Sequence, residues 1–440
     1  MTDTLLPLPK YIIESGGYTA LPSVISSEPE FVKAGKAFAA YIKEDFGANM
    51  VKGTDGIRLC NNVHLPEEGY HLTTSQKGVE IFASTSRGIN RGLSTLFQMI
   101  KKEDGSLKIP CVCITDAPDS PYRGLMIDLA REWHEPDYLF RYVDLCWRNR
   151  ASHLQLHFTD DQQFTLPIES FPCIGTQRYT KEEIAKLVEY AENRGIILVP
   201  EVDIPGHTTQ WVKAYPKLFG TTKVLAASDE VFVALRQIFA EVHAMFPHSP
   251  WIHIGGDEAE TGEWEKCPIT QAYMKKKGIE TVGELYAEYV RTAAEIVFEL
   301  GCTPVVWEGF AKEFNDRIPK ETIVIAWESL YQVPGDLAAA GFTMINCSWE
   351  PLYICTNDKY WPPEDIMKWN PWIWRNWWER SHAYPDGITI SPEKSNVIGG
   401  QICVWGNWLN KYGNLEAAIR KEYELTAERL PSLCERTWNV

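Results

Sequence analysis

KEEIAKLVEYAENRGIILVPEVDIPGH, residues 181–207, holds one helix-then-strand unit and the polar end that follows it. Residues 181–194 carry helical spacing, and residues 196–202 form an apolar run of strand length. Polar groups then crowd the strand's end: Glu201, Asp203 and His207. Working outward, the same alternation repeats. Strands are expected over 122–129, 153–158, 196–202, 251–255, 303–307, 322–327, 342–347 and 397–405. Helices are expected over 137–149, 181–194, 230–246 and 282–300. Residues 335–341 make a short helix at best, and 348–396 form a long irregular linker. Parallel strands need crossover connections, and eight such units over about 320 residues close into a TIM (β/α)8 barrel.

Residues 1–117 read differently. Short strands at 12–13, 56–60, 69–73 and 79–83 and helices at 31–45 and 89–101 predict a small α+β domain, so the fold class is α/β with that domain in front. The Pro-rich APDSP at 117–121 marks the boundary, with the barrel over 118–440.

The 440 residues include 43 Lys and Arg against 59 Asp and Glu, a net charge of −16. Such a surface repels phosphate backbones, so no nucleic-acid partner is expected. No apolar run of about 18 residues exists, so no membrane span is expected. The start, MTDTLLPLPK, lacks the features of a secretion signal, which predicts a cytoplasmic protein. Eleven scattered cysteines, mostly in apolar runs, suit reduced buried thiols, and no Cys/His cluster has zinc spacing. His153 and His157 stand about 13 Å apart on a strand, which excludes a metal pair there.

Barrel active sites lie at the C-terminal strand ends. Here those ends are 128–131, Asp160–Asp161, Glu201–His207, Asp257–Glu258, Trp307–Glu308, Trp327–Glu328, 349–353 and 405–407. Any one of these polar ends could be a helix cap or a core residue. Eight in register make an acidic, Trp-walled pocket of the kind that suits a sugar. The sharpest segment is Trp251-Ile-His-Ile-Gly-Gly-Asp-Glu258. Glycosidases usually place two carboxyls on opposite faces of the sugar, about 5 Å or about 6.5–9.5 Å apart. Adjacent residues, with Cα atoms about 3.8 Å apart, cannot easily bracket a ring. One carboxyl as the acid leaves the nucleophile to the substrate, and a 2-acetamido oxygen can serve.

The segment resembles the motif of glycoside hydrolase family 20, the β-N-acetylhexosaminidases, through His253-Ile-Gly-Gly-Asp257-Glu258. Supporting segments are Arg123-Gly-Leu-Met-Ile-Asp128, His153-Leu-Gln-Leu-His157 with Asp160-Asp161-Gln162, Glu201-Val-Asp203-Ile-Pro-Gly-His207, and Gly399-Gly-Gln-Ile-Cys-Val-Trp405-Gly. The resemblance spans essentially the whole chain. It implies an exo-acting, retaining enzyme that releases terminal β-linked N-acetylglucosamine or N-acetylgalactosamine from glycans through an oxazolinium ion, with no cofactor and no metal. Carried over, Glu258 is the general acid/base, Asp257 holds the acetamido N–H and Tyr353 its carbonyl oxygen. Trp307, Trp327 and Trp405 wall the pocket, Arg123 binds ring hydroxyls, and Asp160 and His207 form a relay behind Glu258. His253, Trp251 and Trp264 read as structural, and Asp203 as a positioner of His207.

Two positions depart from the family pattern. Cys355 stands where an Asp is usual, and Asn407, also placed in the substrate pocket, where a Glu is usual. Both lie at the end that meets the sugar's outer hydroxyls, which predicts altered recognition at O4 and O6. Six of the seventeen tryptophans fall within 361–378. A cap on the pocket, a platform for the next sugar and a homodimer interface are open to them. The competing readings are a sugar-binding pseudoenzyme and a barrel glycosidase using direct carboxylate attack.

Overall fold

A computed structural model describes residues 5–54, 56–356 and 359–440. The N-terminal domain is one sheet with the spatial order Tyr11–Ala20, Ser106–Asp116, Tyr70–Ser75, Gly78–Ala83, Ile57–Asn61, Val24–Ser27, Val51–Lys52. Helices Val32–Phe46 and Ser86–Gln98 pack on it and on each other. The strand Ser106–Asp116 is absent from the sequence expectation because Pro110, which has no N–H to donate, interrupts its apolar run.

Eight parallel strands form the barrel: Tyr122–Asp128, His153–His157, Ile197–Ile204, Trp251–Gly255, Thr303–Trp307, Ile323–Ala326, Thr343–Asn346 and Asn396–Val404. The eighth pairs with both the seventh and the first, which closes the sheet. Alternation along each strand sorts side chains: Leu125 and Ile127 join the core shared with the outer helices, and Met126 joins the aromatic interior. Outer helices include Pro136–Arg148, Lys181–Asn193, Asp229–Met245 and Val282–Glu299. Lys181–Asn193 starts at a capping box, in which Glu183 N–H donates to Thr180 Oγ1 and Thr180 N–H donates to the Glu183 carboxylate. A last helix, Leu415–Trp438, covers the first and eighth strands. It goes unread in the sequence because Pro431, inside it, reads as a stop.

The two domains share a buried polar seam. Glu68 of the first domain takes Arg91 and Arg123, and Trp438 Nε1 donates to both carboxylate oxygens of Asp116 at 3.1 and 3.0 Å. Burial raises the Glu68 carboxyl, but the guanidiniums of Arg123, Arg91 and Arg87 win and hold it far below the usual range. No helix among the described residues is long and apolar enough to cross a membrane.

Candidate active site

The fourth strand ends on two left-handed glycines, Gly255 at φ 71° and Gly256 at φ 87°. A Cβ on Gly255 would lie 1.6 Å from Asp203 Oδ1, and the Gly256 N–H donates to that same oxygen at 3.2 Å. The glycine pair thus lets the chain turn tightly over Asp203 and deliver two carboxyls in different settings. Asp257 is 5% exposed, whereas the Glu258 side chain is 51% exposed.

Burial pushes the Asp257 carboxyl up to about 7; His207 pulls it down, and the charges of Glu258 and Glu201 add to the rise. Asp203 is raised well above the carboxylate range by burial and by Asp257 beside it. Asp203 thus stands behind Asp257 with its charge disfavoured, and its Oδ2 is a distant 4.0 Å from His207 Nε2. The structure brings Asp160, His207 and Glu258 near one another. His207 Nδ1 lies 3.3 Å from Asp160 Oδ1, and its Nε2 lies 3.7 Å from Glu258 Oε2. Burial opposes a charge on His207, but the hydrogen bond and charge of Asp160 prevail and bring it up to about 9.

Trp307, Trp327, Tyr353 and Trp405 form one box. Trp327 and Tyr353 are parallel at 8° with centroids 6.3 Å apart, and Trp405 lies 5.9 Å from Trp307 and 6.3 Å from Tyr353. Trp307 is oriented from behind: its Nε1 donates to Glu201 Oε1 at 2.6 Å, while Gln155 donates to Oε2 at 2.7 Å. Burial works against the Glu201 charge, but His157 and His253 bring the carboxyl down to about 2. Glu308, fully buried, accepts the backbone N–H groups of Ser329, Leu330, Tyr331 and Gln332 and so ties two loops at the mouth. Glu201 and Glu308 are strand-end carboxylates that the sequence shows without revealing their work as anchors.

Two polar atoms of the strand-end residues stand out. Asp257 Oδ1 and the Tyr353 hydroxyl are buried with no hydrogen-bond partner among the described residues. An unpaired buried polar group costs about 1–3 kcal/mol, so both call for a ligand.

Arg123 is not in this site. It is the second residue of its strand, at the opposite end of the barrel, and its fully buried guanidinium donates to Ser120 O at 2.7 Å, to Arg150 O at 2.9 Å and to Glu68. A substrate role for Arg123 is overturned by strand direction alone. The guanidinium at the site belongs to Arg131, just past the strand's C-terminal end. It bonds Asp128 Oδ2 at 2.8 Å, lies 2.7 Å from Asp160 Oδ2 and rests 4.9 Å over the Trp405 ring. Asn407 lies past the eighth strand, exposed and at φ 80°. The ligand atoms of Asp203, His207 and Asp257 lie within metal-binding range of one another, as do those of Asp160, Asp161 and His207. The His207 and Arg131 cations already hold Asp160.

The tryptophan cluster divides. Trp361, Trp369 and Trp374 are buried, with Trp374 Nε1 donating to Ala326 O at 3.0 Å. Trp377 stacks on Trp349 at 5.6 Å, Trp378 lies 6.3 Å from Trp349, and Trp349 lies 5.4 Å from Tyr353, so these rings extend the box outward.

The described architecture matches known proteins. Residues 120–440 match the model of the glycosyl hydrolase family 20 catalytic domain, and residues 3–117 match that family's domain 2. A beta-hexosaminidase of Vibrio furnissii is 27% identical over 470 residues, covering 95% of this chain and 75% of that one. A beta-hexosaminidase of Akkermansia muciniphila is 32% identical over 325 residues, covering 66% of this chain and 65% of that one. Among solved structures, an exo beta-N-acetylglucosaminidase from Vibrio harveyi in complex with N-acetylglucosamine superposes with a TM-score of 0.84 at 24% identity, covering 99% of this chain and 73% of that one.

Proposed function

The chain belongs to glycosyl hydrolase family 20, and from that premise we propose that it is an exo-acting, retaining β-N-acetylhexosaminidase working by substrate assistance. The observation that carries this reading is the pair of buried, unpartnered atoms, Asp257 Oδ1 beside Glu258 and Tyr353 Oη among the tryptophans. Together they offer an acceptor for an acetamido N–H and a donor for its carbonyl oxygen, beside an exposed Glu258. The acetamido oxygen attacks C1 as the glycosidic C–O bond breaks, and the Glu258 carboxyl gives its proton to the departing oxygen. Asp257, ionised, stabilises the positive charge that spreads over the oxazolinium ring. Water then attacks C1 from the face the leaving group vacated, Glu258 takes its proton, and the ring opens to the sugar with its configuration retained.

His207, held by Asp160, supplies a positive group behind Glu258. Trp307, Trp327 and Trp405 exclude water around the N-acetyl group, and Arg131 takes the ring-hydroxyl role expected of Arg123. The natural partners are glycans ending in β-linked N-acetylhexosamine. A reducing, cytoplasmic setting is supported by the eleven free cysteines. The test is an aryl N-acetyl-β-glucosaminide beside the matching aryl β-glucoside, with the anomer of the first product followed by NMR. Cleavage of the first alone, with retention, is expected. Equal turnover of the 2-hydroxy glycoside means direct carboxylate attack, and binding without turnover of either means a pseudoenzyme.

A further inference from the structure

Glu328 follows Trp327 of the tryptophan box and is only 3% exposed. Its backbone is gripped: Asn376 Nδ2 donates to the Glu328 carbonyl oxygen at 3.2 Å and Ser381 Oγ donates to it at 2.6 Å. The next residue, Ser329, turns the chain at φ 55° and gives its N–H to Glu308 at 2.7 Å. The side chain is thus fixed at its root. Its carboxylate nevertheless makes no hydrogen bond and no ion pair among the described residues.

The surroundings put this carboxyl on the side of the departing group. The charge it feels most is that of Glu258, ahead of Glu308 and Asp257. Asp257 serves the acetamido group and Glu258 the departing oxygen, so a carboxyl coupled most strongly to Glu258 lies toward that oxygen. Asn376 and Ser381, which hold the Glu328 carbonyl, bracket Trp377 and Trp378. Trp349 lies 6.0 Å from Trp327 and 6.3 Å from Trp378. The residues that grip Glu328 therefore also carry the rings that extend the box outward.

Cations at the mouth are committed elsewhere. Arg131 and His207 hold Asp160, and Lys223 pairs with Glu260 at 2.6 Å. The opposing charge that Glu328 feels, on Arg380, rests 4.9 Å over the Trp378 ring. Burial first, and then the charge of Glu258, lifts the Glu328 carboxyl to about 8. A buried carboxylate without a partner is costly, and a cation beside it offsets that cost where a neutral hydroxyl does not.

We propose that Glu328 is a specificity-determining residue for the leaving group and accepts the ammonium group of an unacetylated amino sugar to which the terminal N-acetylhexosamine is β-linked. An ammonium brings hydrogen-bond donors and positive charge together, which is what a buried, unpartnered carboxylate lacks. The preferred substrates are then partly N-deacetylated aminoglycans rather than fully acetylated ones. This rests on the hexosaminidase reading and adds to it the chemical class of the leaving group.

The test compares kcat/KM for two disaccharides with the same terminal N-acetyl-β-glucosamine, one linked to N-acetylglucosamine and one to glucosamine, in slightly acidic buffer where the amine is charged. An aryl N-acetyl-β-glucosaminide reports whether each variant is folded and active. The native protein is expected to favour the glucosamine disaccharide by about tenfold or more, within the worth of one hydrogen bond to a charged group. The ratio is read within each variant, so a general loss of activity cancels. Glu328→Gln is expected to bring the ratio near unity, and Glu328→Met serves if the Gln variant does not fold. Glu260→Gln, at an exposed carboxylate already paired with Lys223, is expected to leave the ratio unchanged. The native preference is expected to fade as pH rises and the amine loses its charge. Equal turnover of the two disaccharides by the native protein, a preference that survives loss of the Glu328 charge, or an equal drop in Glu260→Gln overturns the assignment and leaves the hexosaminidase reading standing. Failure to cleave the aryl glycoside and both disaccharides overturns both.

Discussion

Replacing Arg123 and Arg131 separately divides the roles that position along one strand assigns to them. Both guanidiniums sit in buried ion pairs, Arg123 with Glu68 and Arg131 with Asp128 and Asp160. Arg→Met at either place removes one charged hydrogen-bond partner from a buried carboxylate that keeps others, Arg91 and Arg87 at Glu68 and His207 at Asp160, which costs about 1.5–3 kcal/mol. That is a large part of the about 5–15 kcal/mol of a typical domain, so both variants unfold at a clearly lower denaturant concentration. Arg→Lys versions keep the charge and serve if the Met variants do not fold. The two differ in activity. Arg123 lies five residues before Asp128, about 16 Å along the strand from the chemistry. Per folded molecule, Arg123→Met keeps kcat/KM on an aryl N-acetyl-β-glucosaminide within about twofold, less than ~0.5 kcal/mol. Arg131→Met loses a charged hydrogen bond to substrate, about 1.5–3 kcal/mol, and also releases Asp160 from the relay. Together these lower kcat/KM by about 100-fold or more. The assay pairs denaturation midpoints with kcat/KM corrected for the folded fraction. Equal losses of kcat/KM in the two variants, or a loss confined to Arg123, would refute the placement.

Other consequences follow from the same geometry. Glu258→Gln is expected to slow glycosides with poor leaving groups far more than activated aryl glycosides, because proton donation matters less for the latter; equal losses on both would remove Glu258 as the acid. Because Asp257 must be ionised and titrates at about 7, kcat/KM is expected to fall about tenfold per pH unit on the acid side of neutrality, a limb absent in Asp257→Asn. The same raised carboxyl contributes stability that is full below about pH 4 and lost as pH rises through about 7, so Asp257→Asn is expected to flatten that part of the stability profile of the free protein. Glu201 has the opposite sign: depressed to about 2, it contributes stability above its usual range that is lost as pH falls, and Glu201→Gln is expected to flatten the acid-unfolding curve between about pH 5 and 2. A thiazoline analogue of the oxazoline is expected to inhibit strongly, measured by competition with the aryl substrate.

The barrel was legible because its strands are short apolar runs with a polar residue at each C-terminal end, and every expected barrel strand overlaps an observed one. Trp251–Gly255 and Thr303–Trp307 match to the residue. What stayed hidden were elements whose stability comes from tertiary contacts rather than local pattern. Ser106–Asp116 carries Pro110 and is held as a strand by Tyr11–Ala20 on one side and Tyr70–Ser75 on the other. Leu415–Trp438 carries Pro431 and is held by burial of Leu425, Leu430, Leu433 and Trp438. In the site, the error over Arg123 has a definite cause. The stretch 122–131 holds two arginines at opposite ends of a strand, and only the one past the C-terminal end can reach the pocket. Strand direction, already implied by the barrel, was signal enough to choose Arg131.

The carboxylates explain why the site suits a cation in transit more than a neutral sugar. Asp128, Asp160, Glu201, Asp203, Asp257, Glu308 and Glu328 are all buried around the barrel mouth. Arg131, His157 and His207 face them, and Asp160 and Glu201 are pulled below the ordinary range. Burial lifts Asp203 well above that range, Asp257 and Glu308 to about 7, and Glu328 to about 8, the last with help from the charge of Glu258. Burial therefore holds several carboxyls at the mouth near neutrality, where a positive charge brought beside them favours their ionisation. A neutral substrate does not supply it. The oxazolinium does, directly against Asp257, and the ionisation it induces is worth most in the water-poor box that Trp307, Trp327 and Trp405 enclose. Interactions that strengthen only as charge develops lower the barrier without deepening the ground state. By this logic a neutral isostere of the product binds weakly and with little pH dependence across neutrality, whereas a cationic mimic binds tightly and more tightly as pH rises through about 7, because its binding ionises Asp257 and releases a proton.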